Sequence, residues 1–291
     1  MGARDQILQK FPTLSPQIQA AARYVVDHPN EVVIRSMRAL AEMAGAQPAT
    51  FVRLAQQLGH AGWPDLKAAF AEELGLHGDR YGPRAKNLAK RGPDADLVGE
   101  LFDAQRRNLD LTEVQCAASL RQAARAFKRA TAVHIAGFRA SFPIACSLAY
   151  AYRLFRDSVH LIDGHAGGLE MQLRPIERRD CVAAISFAPY SRESMLVIEA
   201  AKAAGARVVA LTDSSASPLA LAADVQVLFS AASPSFFPSV AAAVAVTEAL
   251  LELLVADAGA DVSKLIDQAE RRLFDSGAYL QPVGRGRRSR S

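Results

Sequence analysis

The sequence predicts two domains, a small all-α N-terminal domain followed by an α/β domain with a five-stranded parallel sheet flanked by helices. Three observations carry this. Residues 36–67 place apolar side chains at helical spacing on either side of a tight turn. Five short apolar runs between residues 132 and 229 alternate with helical patterns, as in a parallel sheet covered on both faces. Between these regions, residues 75–93 (GLHGDRYGPRAKNLAKRGP) concentrate glycine, proline and basic residues. The expected division is 1–76 for the helical domain, 77–93 for a linker, 94–280 for the α/β domain and 281–291 for a basic, disordered tail.

In the N-terminal domain Ile7, Phe11 and Leu14 are the apolar contacts of a leading segment. Ser15-Pro16 opens a helix with Ile18, Ala21, Ala22, Val25 and Val26 on its inner face, and His28-Pro29-Asn30 ends it. A short helix or turn at 31–34 follows. The next helix runs from Ser36, as N-cap, to about Met43, with Leu40 and Met43 inward. Gly45 lies in the turn, where a positive φ costs it little. A second helix opens at Gln47-Pro48 and turns Phe51, Leu54, Ala55 and Leu58 to one face, leaving Thr50, Arg53 and Gln57 off that face. Gly59 closes it, Trp63 is read as a core plug, and a helix from Pro64 to Leu74 turns Leu66, Phe70 and Leu74 inward. This is the layout of a helix-turn-helix, whose second helix enters the DNA major groove by its N-terminal residues. A generic helical hairpin shares the same periodicity.

The basic residues of the linker, Arg80, Arg84, Lys86, Lys90 and Arg91, either touch phosphates or are simply solvated. From Asp94 to Arg129 the pattern is helical, with Leu97, Leu101, Ala104, Leu109, Val114, Leu120, Ala124 and Phe127 as its apolar positions. Strands are expected at 132–136, 159–162, 181–185, 208–211 and 225–229, with helices at 141–155, 168–173, 191–204, 218–222, 239–255 and 263–274.

Ligands in such sheets bind outside the C-terminal ends of the strands, near helix N-termini. Two of those strand ends carry hydroxyls, residues 137–141 (GFRAS) and 186–194 (SFAPYSRES). Backbone N–H groups and the helix dipole favour an anion there, and Arg139 and Arg192 add charge; alternatively Ser141 and Ser191 are ordinary N-caps. Neither loop is a GxGxxG or P-loop, so nucleotide binding there is not indicated. His165, just after the second strand, can line the same pocket, whereas His134, inside a strand, is read as a core histidine. Glu193 can act as a general base, pair with Arg192, or favour its helix N-terminus.

Composition narrows the class. The three cysteines, Cys116, Cys146 and Cys181, are odd in number and widely spaced, which fits a reducing cytoplasm, and no Cys/His set has metal spacing, so no metal or cofactor is expected. The first residues, MGARDQILQKF, hold no apolar signal region, and no run reaches the roughly 18 apolar residues of a membrane span. Residues 1–91 carry 12 Lys+Arg against 8 Asp+Glu, residues 92–280 carry 18 against 22, and the last eleven carry 4 against none. A basic N-terminal part on an acidic remainder fits a nucleic-acid module fused to another domain.

The chain resembles the RpiR/MurR-type bacterial transcription regulators, which join a helix-turn-helix domain to a SIS (sugar isomerase) domain, over nearly its whole length. Ser36-Met37-Arg38-Ala39-Leu40-Ala41 stands at the family's S-x-x-x-L-A helix, residues 49–54 (ATFVRL) at its A-T-(I/V/F)-x-R-(F/L) recognition helix, and residues 58–63 (LGHAGW) at its L-G-F-x-G-(F/W) turn. The resemblance implies DNA contacts from Thr50 and Arg53, with Arg38 and Gln57 beside them. Gln47 replaces a usual Ser, so the hydroxyl cap is missing and Gln47 is left to face the DNA. In the SIS domain Gly137 and Ser141 match the family's G-x-G-x-S loop, with Arg139 in place of the middle glycine. Ser186, Ser191 and Glu193 match S-x-S-G-x-T-x-E, with Ala188 and Pro189 replacing Ser-Gly. These residues, with Arg192 and His165, are the implied effector site for a sugar or sugar phosphate. Losing one hydroxyl and one N–H weakens a phosphate cradle, and Arg139 or Arg192 can compensate. The resemblance implies a cytoplasmic homodimer or homotetramer on a double-stranded DNA operator, with the helices at 94–129 and 239–255 as candidate dimer surfaces. The alternative is a sugar-phosphate isomerase with a helical N-terminal appendage.

Overall fold

The computed structural model describes residues 2–73, 81–92, 96–259 and 261–280. The helical domain comprises α1 (Ala3–Lys10), α2 (Pro16–Asp27), α3 (Pro29–Ile34), α4 (Met37–Met43), α5 (Pro48–Gln57) and α6 (Trp63–Glu73). Their apolar stripes meet in one core of fully buried Ile7, Leu40, Phe51, Leu54, Leu66 and Phe70. Trp63 plugs that core as expected, 4% exposed and edge-on to Phe51 with ring centroids 5.0 Å apart. Ser36 caps α4 by accepting the Ala39 N–H at 3.2 Å. Met43, expected inside, is 47% exposed. It ends its helix one turn past the fully buried Leu40, and its sulfur reaches only the Tyr24 hydroxyl, 3.5 Å away.

Within the expected linker, residues 81–91 form a helix, α7 (Tyr81–Arg91). Gly82-Pro83 falls in its first turn, where a proline is tolerated, and residues 85–91 are, Asn87 apart, good helix formers. The helix is tied to the second domain: Arg84 donates to the Ser233 carbonyl at 2.7 Å and Tyr81 lies against Phe237. The tail at 281–291 lies outside the described residues.

The α/β domain opens with α8 (Leu97–Arg129) and continues β1 (Val133–Gly137), α9 (Phe142–Arg153), β2 (Val159–Ile162), α10 (Leu169–Leu173), β3 (Cys181–Ile185), α11 (Arg192–Ala204), β4 (Arg207–Thr212), α12 (Pro218–Ala222), β5 (Val225–Leu228), α13 (Ala241–Ala258) and α14 (Asp261–Asp275). All pairings are parallel, in the order β2-β1-β3-β4-β5. β1 and β3 are buried at every position, which is why they read as apolar runs, broken only by His134 in β1. Alternate residues feed two cores: Ile135, Ala183 and Val209 pack under α8, α9 and α13, while Ala136, Val182 and Val208 pack under α11 and α12.

α8 departs from its expected face. Leu109 and Val114 are 40% and 84% exposed, whereas Asn108 and Thr112 are buried. The polar pair is satisfied by a distant loop: Asn108 donates to the Ala232 carbonyl at 2.7 Å and accepts from Ser230 Oγ at 2.7 Å, while Thr112 Oγ1 accepts the Ser230 N–H at 2.9 Å. Val98, Phe102 and Leu111 join Leu109 and Val114 as exposed apolar side chains of this helix.

Candidate functional sites

The two helices α4 and α5 are separated by a turn in which Gly45 takes φ +61°. Gln47 sits at the N-cap position of α5 with extended backbone and makes no side-chain cap bond. Gln47, Arg53 and Gln57 are exposed along α5, and Arg38 is exposed on α4. Arg53 makes a single long hydrogen bond, from Nε to the Ala49 carbonyl at 3.4 Å. Thr50 corrects the expected outer face. It is 4% exposed and belongs to the buried side with Phe51, Leu54 and Ala55. The apolar arc of α5 is therefore wider than its aliphatic residues alone suggest, and the small threonine side chain is absorbed into the packing. Lys10 donates to the Gln57 carbonyl at 2.7 Å and Lys67 to the Arg35 carbonyl at 2.8 Å, tying the ends of α5 and α3 to their neighbours.

In the sheet, β2 and β3 lie on either side of β1, so the connections leaving β1 and β3 diverge at their C-terminal ends, the switch point at which sheets of this kind hold a ligand crevice. Two of the expected loops flank it. Gly137 ends β1 where only glycine fits: a Cβ there would stand 2.6 Å from both the Ser141 carbonyl oxygen and Ala145 Cβ. Arg139 takes φ +54°, the left-handed backbone that a glycine adopts freely. Its guanidinium crosses to the other loop and pairs with Glu193 Oε1 at 2.9 Å. Arg139 is 74% exposed and Glu193 33%, so the pair bridges the mouth of the crevice.

The second loop supplies a nest of buried hydroxyls. Ser186 Oγ accepts the Ser191 N–H at 3.4 Å, Ser191 Oγ caps α11 by accepting the Ser194 N–H at 3.1 Å, and the Ser191 and Ser194 hydroxyls lie 2.7 Å apart. Ser141, Ser186, Ser191 and Ser194 are all buried. Ser191 is thus both an N-cap and a crevice residue, while Ser141 makes no side-chain cap bond. Sequence reasoning missed Asp213 at the end of β4. Its carboxylate accepts the Tyr190 hydroxyl at 2.8 Å and the Ala188 N–H at 3.2 Å, and so fixes the shape of the loop. Burial and the adjacent Asp213 carboxylate push the Tyr190 phenol well above its ordinary range, so it stays a neutral donor. The only signal for this partnership is an acid at a strand end beside a tyrosine in the neighbouring loop.

Arg192 is exposed at the start of α11. His165 is exposed on the turn after β2, where its N–H donates to Asp163 Oδ1 at 2.9 Å, and it joins neither hydroxyl loop by a contact. His134 is a core histidine, 2% exposed, with Nε2 3.1 Å from Asp180 Oδ2 at the far end of the sheet. Among the described residues no group of His, Cys, Asp and Glu is arranged to hold a metal ion, and no helix is long and apolar enough to cross a membrane.

Comparison with known proteins separates the two domains. Residues 1–76 match the helix-turn-helix domain of the rpiR family, and residues 127–253 match the SIS domain. The chain joins an rpiR-family helix-turn-helix domain to a SIS domain. It is 24% identical over 220 residues to the HTH-type transcriptional regulator YbbH of Bacillus subtilis, covering 73% of this chain and 74% of that one. It is 25% identical over 219 residues to the HTH-type transcriptional regulator YfhH of Escherichia coli, covering 71% and 74%. The fold resembles that of the Vibrio vulnificus NanR protein complexed with ManNAc-6P, with a TM-score of 0.58 at 18% identity over 96% of this chain and 100% of that one. It also resembles the sugar isomerase domain of an RpiR transcription factor from Sphaerobacter thermophilus, with a TM-score of 0.57 at 22% identity over 62% and 99%.

Proposed function

We propose that this chain is a cytoplasmic, DNA-binding transcription regulator whose SIS domain senses a sugar phosphate or a related carbohydrate, and that it is not an enzyme. The observation that carries this is the course of α11. Its N-terminal turn holds Ser191, Glu193 and Ser194 at the crevice, and its outer face holds Glu199, which pairs with Arg35 of the helix-turn-helix domain at 3.3 Å. A cleft of about 490 Å³ runs along this contact, between His28 and Glu31 on one side and Met195 and Lys202 on the other. A ligand that binds the hydroxyl loops unequally in two arrangements of the domains shifts DNA affinity through α11, and only to the extent of that inequality.

The crevice suits a phosphorylated sugar. Buried hydroxyls and the α11 N-terminus face the anion, and Arg139 and Arg192 stand at its rim. NanR of Vibrio vulnificus, with the same fold, is complexed with such a molecule, ManNAc-6P. Glu193 is engaged by Arg139, which favours a binding role for it over proton abstraction. Two copies joined through the exposed apolar residues of α8 would present two α5 helices to successive major grooves. Gln47, Arg53, Gln57 and Arg38 are the proposed DNA contacts, with Thr50 supporting them from below.

The test is fluorescence anisotropy on duplexes from upstream of the chain's own and neighbouring genes, at stated salt, for wild type and Arg53→Ala, with and without a panel of sugar phosphates. Specific binding that Arg53→Ala weakens, and that one sugar phosphate shifts, is expected. Equal binding by both proteins, or by neither, defeats the proposal. Turnover of aldose or ketose phosphates would replace it with the isomerase alternative.

A further inference from the structure

The α/β domain has a second concave site at the other end of the sheet, where the strands begin. A cavity of about 370 Å³ opens there, lined by Arg125 and Arg129 of α8, Arg178 and Arg179 of the loop before β3, Arg207 at the start of β4, and Asp180. Among the described residues no ion pair or side-chain hydrogen bond engages any of the five guanidinium groups. The one carboxylate is already spent: Asp180 accepts the N–H groups of Ala132 at 3.0 Å and Glu177 at 2.9 Å and faces His134 Nε2 at 3.1 Å.

The C-terminal dipole of α8 accounts for a cation on its last turn, so Arg129 has a structural explanation. It does not account for Arg178, Arg179 and Arg207, which arrive from two other segments and line the same cavity. Arg178 is also held in place. Its aliphatic stem lies over Gly205, the left-handed C-cap of α11, with Cγ 3.4 Å from where a Cβ would stand. Five like charges around one concavity repel unless an anion joins them. The arginine fork bonds phosphate oxygens in pairs, so two or three arginines satisfy one phosphate and five suit more than one. The volume lies within the range of small-molecule sites.

We propose that this cavity binds a small polyanion carrying two or more phosphate groups, of the pyrophosphate or nucleoside polyphosphate class. The site is separate from the hydroxyl loops, and the proposal stands or falls apart from the sugar-phosphate reading.

The experiment is calorimetric titration of the full chain with inorganic pyrophosphate and with orthophosphate, at constant ionic strength. It compares wild type, Arg178→Ala/Arg207→Ala, and Arg121→Ala, the last removing an exposed α8 arginine outside the cavity. The expected result is saturable pyrophosphate binding, weakened roughly tenfold or more in the double variant, as for lost charge-assisted hydrogen bonds, and less than about twofold in Arg121→Ala. Unchanged thermal melting of these surface variants shows that they fold. No saturable binding in wild type, or equal losses in both variants, overturns the proposal. Orthophosphate binding as tight as pyrophosphate overturns the two-phosphate class. A parallel titration with duplex DNA separates the remaining source of phosphate: a double variant that loses DNA affinity and keeps pyrophosphate affinity makes the cleft a DNA-backbone contact and refutes a small-molecule site.

Discussion

Replacing Gly137 with alanine should damage the crevice and leave the helix-turn-helix domain intact. The new Cβ would lie 2.6 Å from the Ser141 carbonyl oxygen, 2.6 Å from Ala145 Cβ and 3.1 Å from the Ser141 carbonyl carbon. Favourable carbon contacts begin near about 3.5 Å, so the overlap is close to a full ångström against a backbone group and a helix side chain. Neither is the loose end of a flexible chain. Relief requires the turn at 138–141 and the start of α9 to move together, and overpacking of this kind costs about 1–3 kcal/mol. Two probes separate the domains in urea. Trp63 is the sole tryptophan and lies in the helical core, so its fluorescence follows that domain, while far-UV circular dichroism follows the whole chain. Gly137→Ala should lower the midpoint seen by circular dichroism and abolish any sugar-phosphate effect on DNA binding, with the Trp63 transition and effector-free DNA affinity nearly unchanged. Gly82→Ala is the control: nothing lies within 4 Å of a Cβ there, and the residue is in a helix. A change below about 0.5 kcal/mol for Gly137→Ala, within the usual range for surface substitutions, would refute the close approach.

Arg53→Ala should weaken operator binding and flatten its salt dependence if Arg53 contacts a phosphate, whereas Thr50→Val should leave DNA affinity within about twofold; anisotropy across a salt series distinguishes them. Asn108→Ala strands the Ala232 carbonyl and the Ser230 hydroxyl, and should cost about 1–3 kcal/mol in urea unfolding. The Asp180 carboxyl is held below the usual carboxylate range: burial pushes it up, but the Glu177 N–H, His134 and the Ala132 N–H together outweigh burial. A depressed folded-state pKa gives stability that is present above the unfolded value of about 3.9 and lost as pH falls through the folded value. Asp180→Asn should therefore remove part of the acid-induced loss of stability below about pH 4, measured by urea melts from pH 2 to 7. Arg35→Ala should leave sugar-phosphate binding intact by calorimetry and reduce the shift that ligand produces in DNA affinity.

The sheet was legible because its central strands are buried on both faces and are almost wholly apolar: the expected run at 181–185 is β3 itself, and the partly exposed edge strand β2 also falls at its expected 159–162. The helices were less legible wherever burial depends on a partner far along the chain. Asn108 and Thr112 look like solvent residues until the loop carrying Ser230 and Ala232, more than a hundred residues later, closes over them. Leu109 and Val114 then fall on the outer side of α8, where periodicity alone cannot distinguish a core face from an uncovered one. Thr50 failed for the converse reason, since a small hydroxyl residue fits a wide apolar arc as readily as a polar face. At the crevice, local patterns located the hydroxyl loops, but the Arg139–Glu193 bridge and the Asp213 anchor join separate loops and appear only when the parallel order brings those loops together.

α11 is the element these observations share. Its N-terminus carries the capped hydroxyl pair Ser191–Ser194, its middle carries Glu199 against Arg35, and its left-handed C-cap at Gly205 lies under the stem of Arg178. A thirteen-residue helix moves as a unit, and its inner face is locked by fully buried Val197 and Ala201 and nearly buried Ile198. A rigid-body shift of this helix at the crevice would be felt at the Arg35 contact and at the arginine cleft together. If both proposed ligands act through this one helix, each must change the affinity of the other by the same factor. Titrating sugar phosphate at saturating pyrophosphate, and pyrophosphate at saturating sugar phosphate, should give matching factors, both reduced in Arg178→Ala. A factor of one in wild type would mean that the two ends of α11 do not communicate.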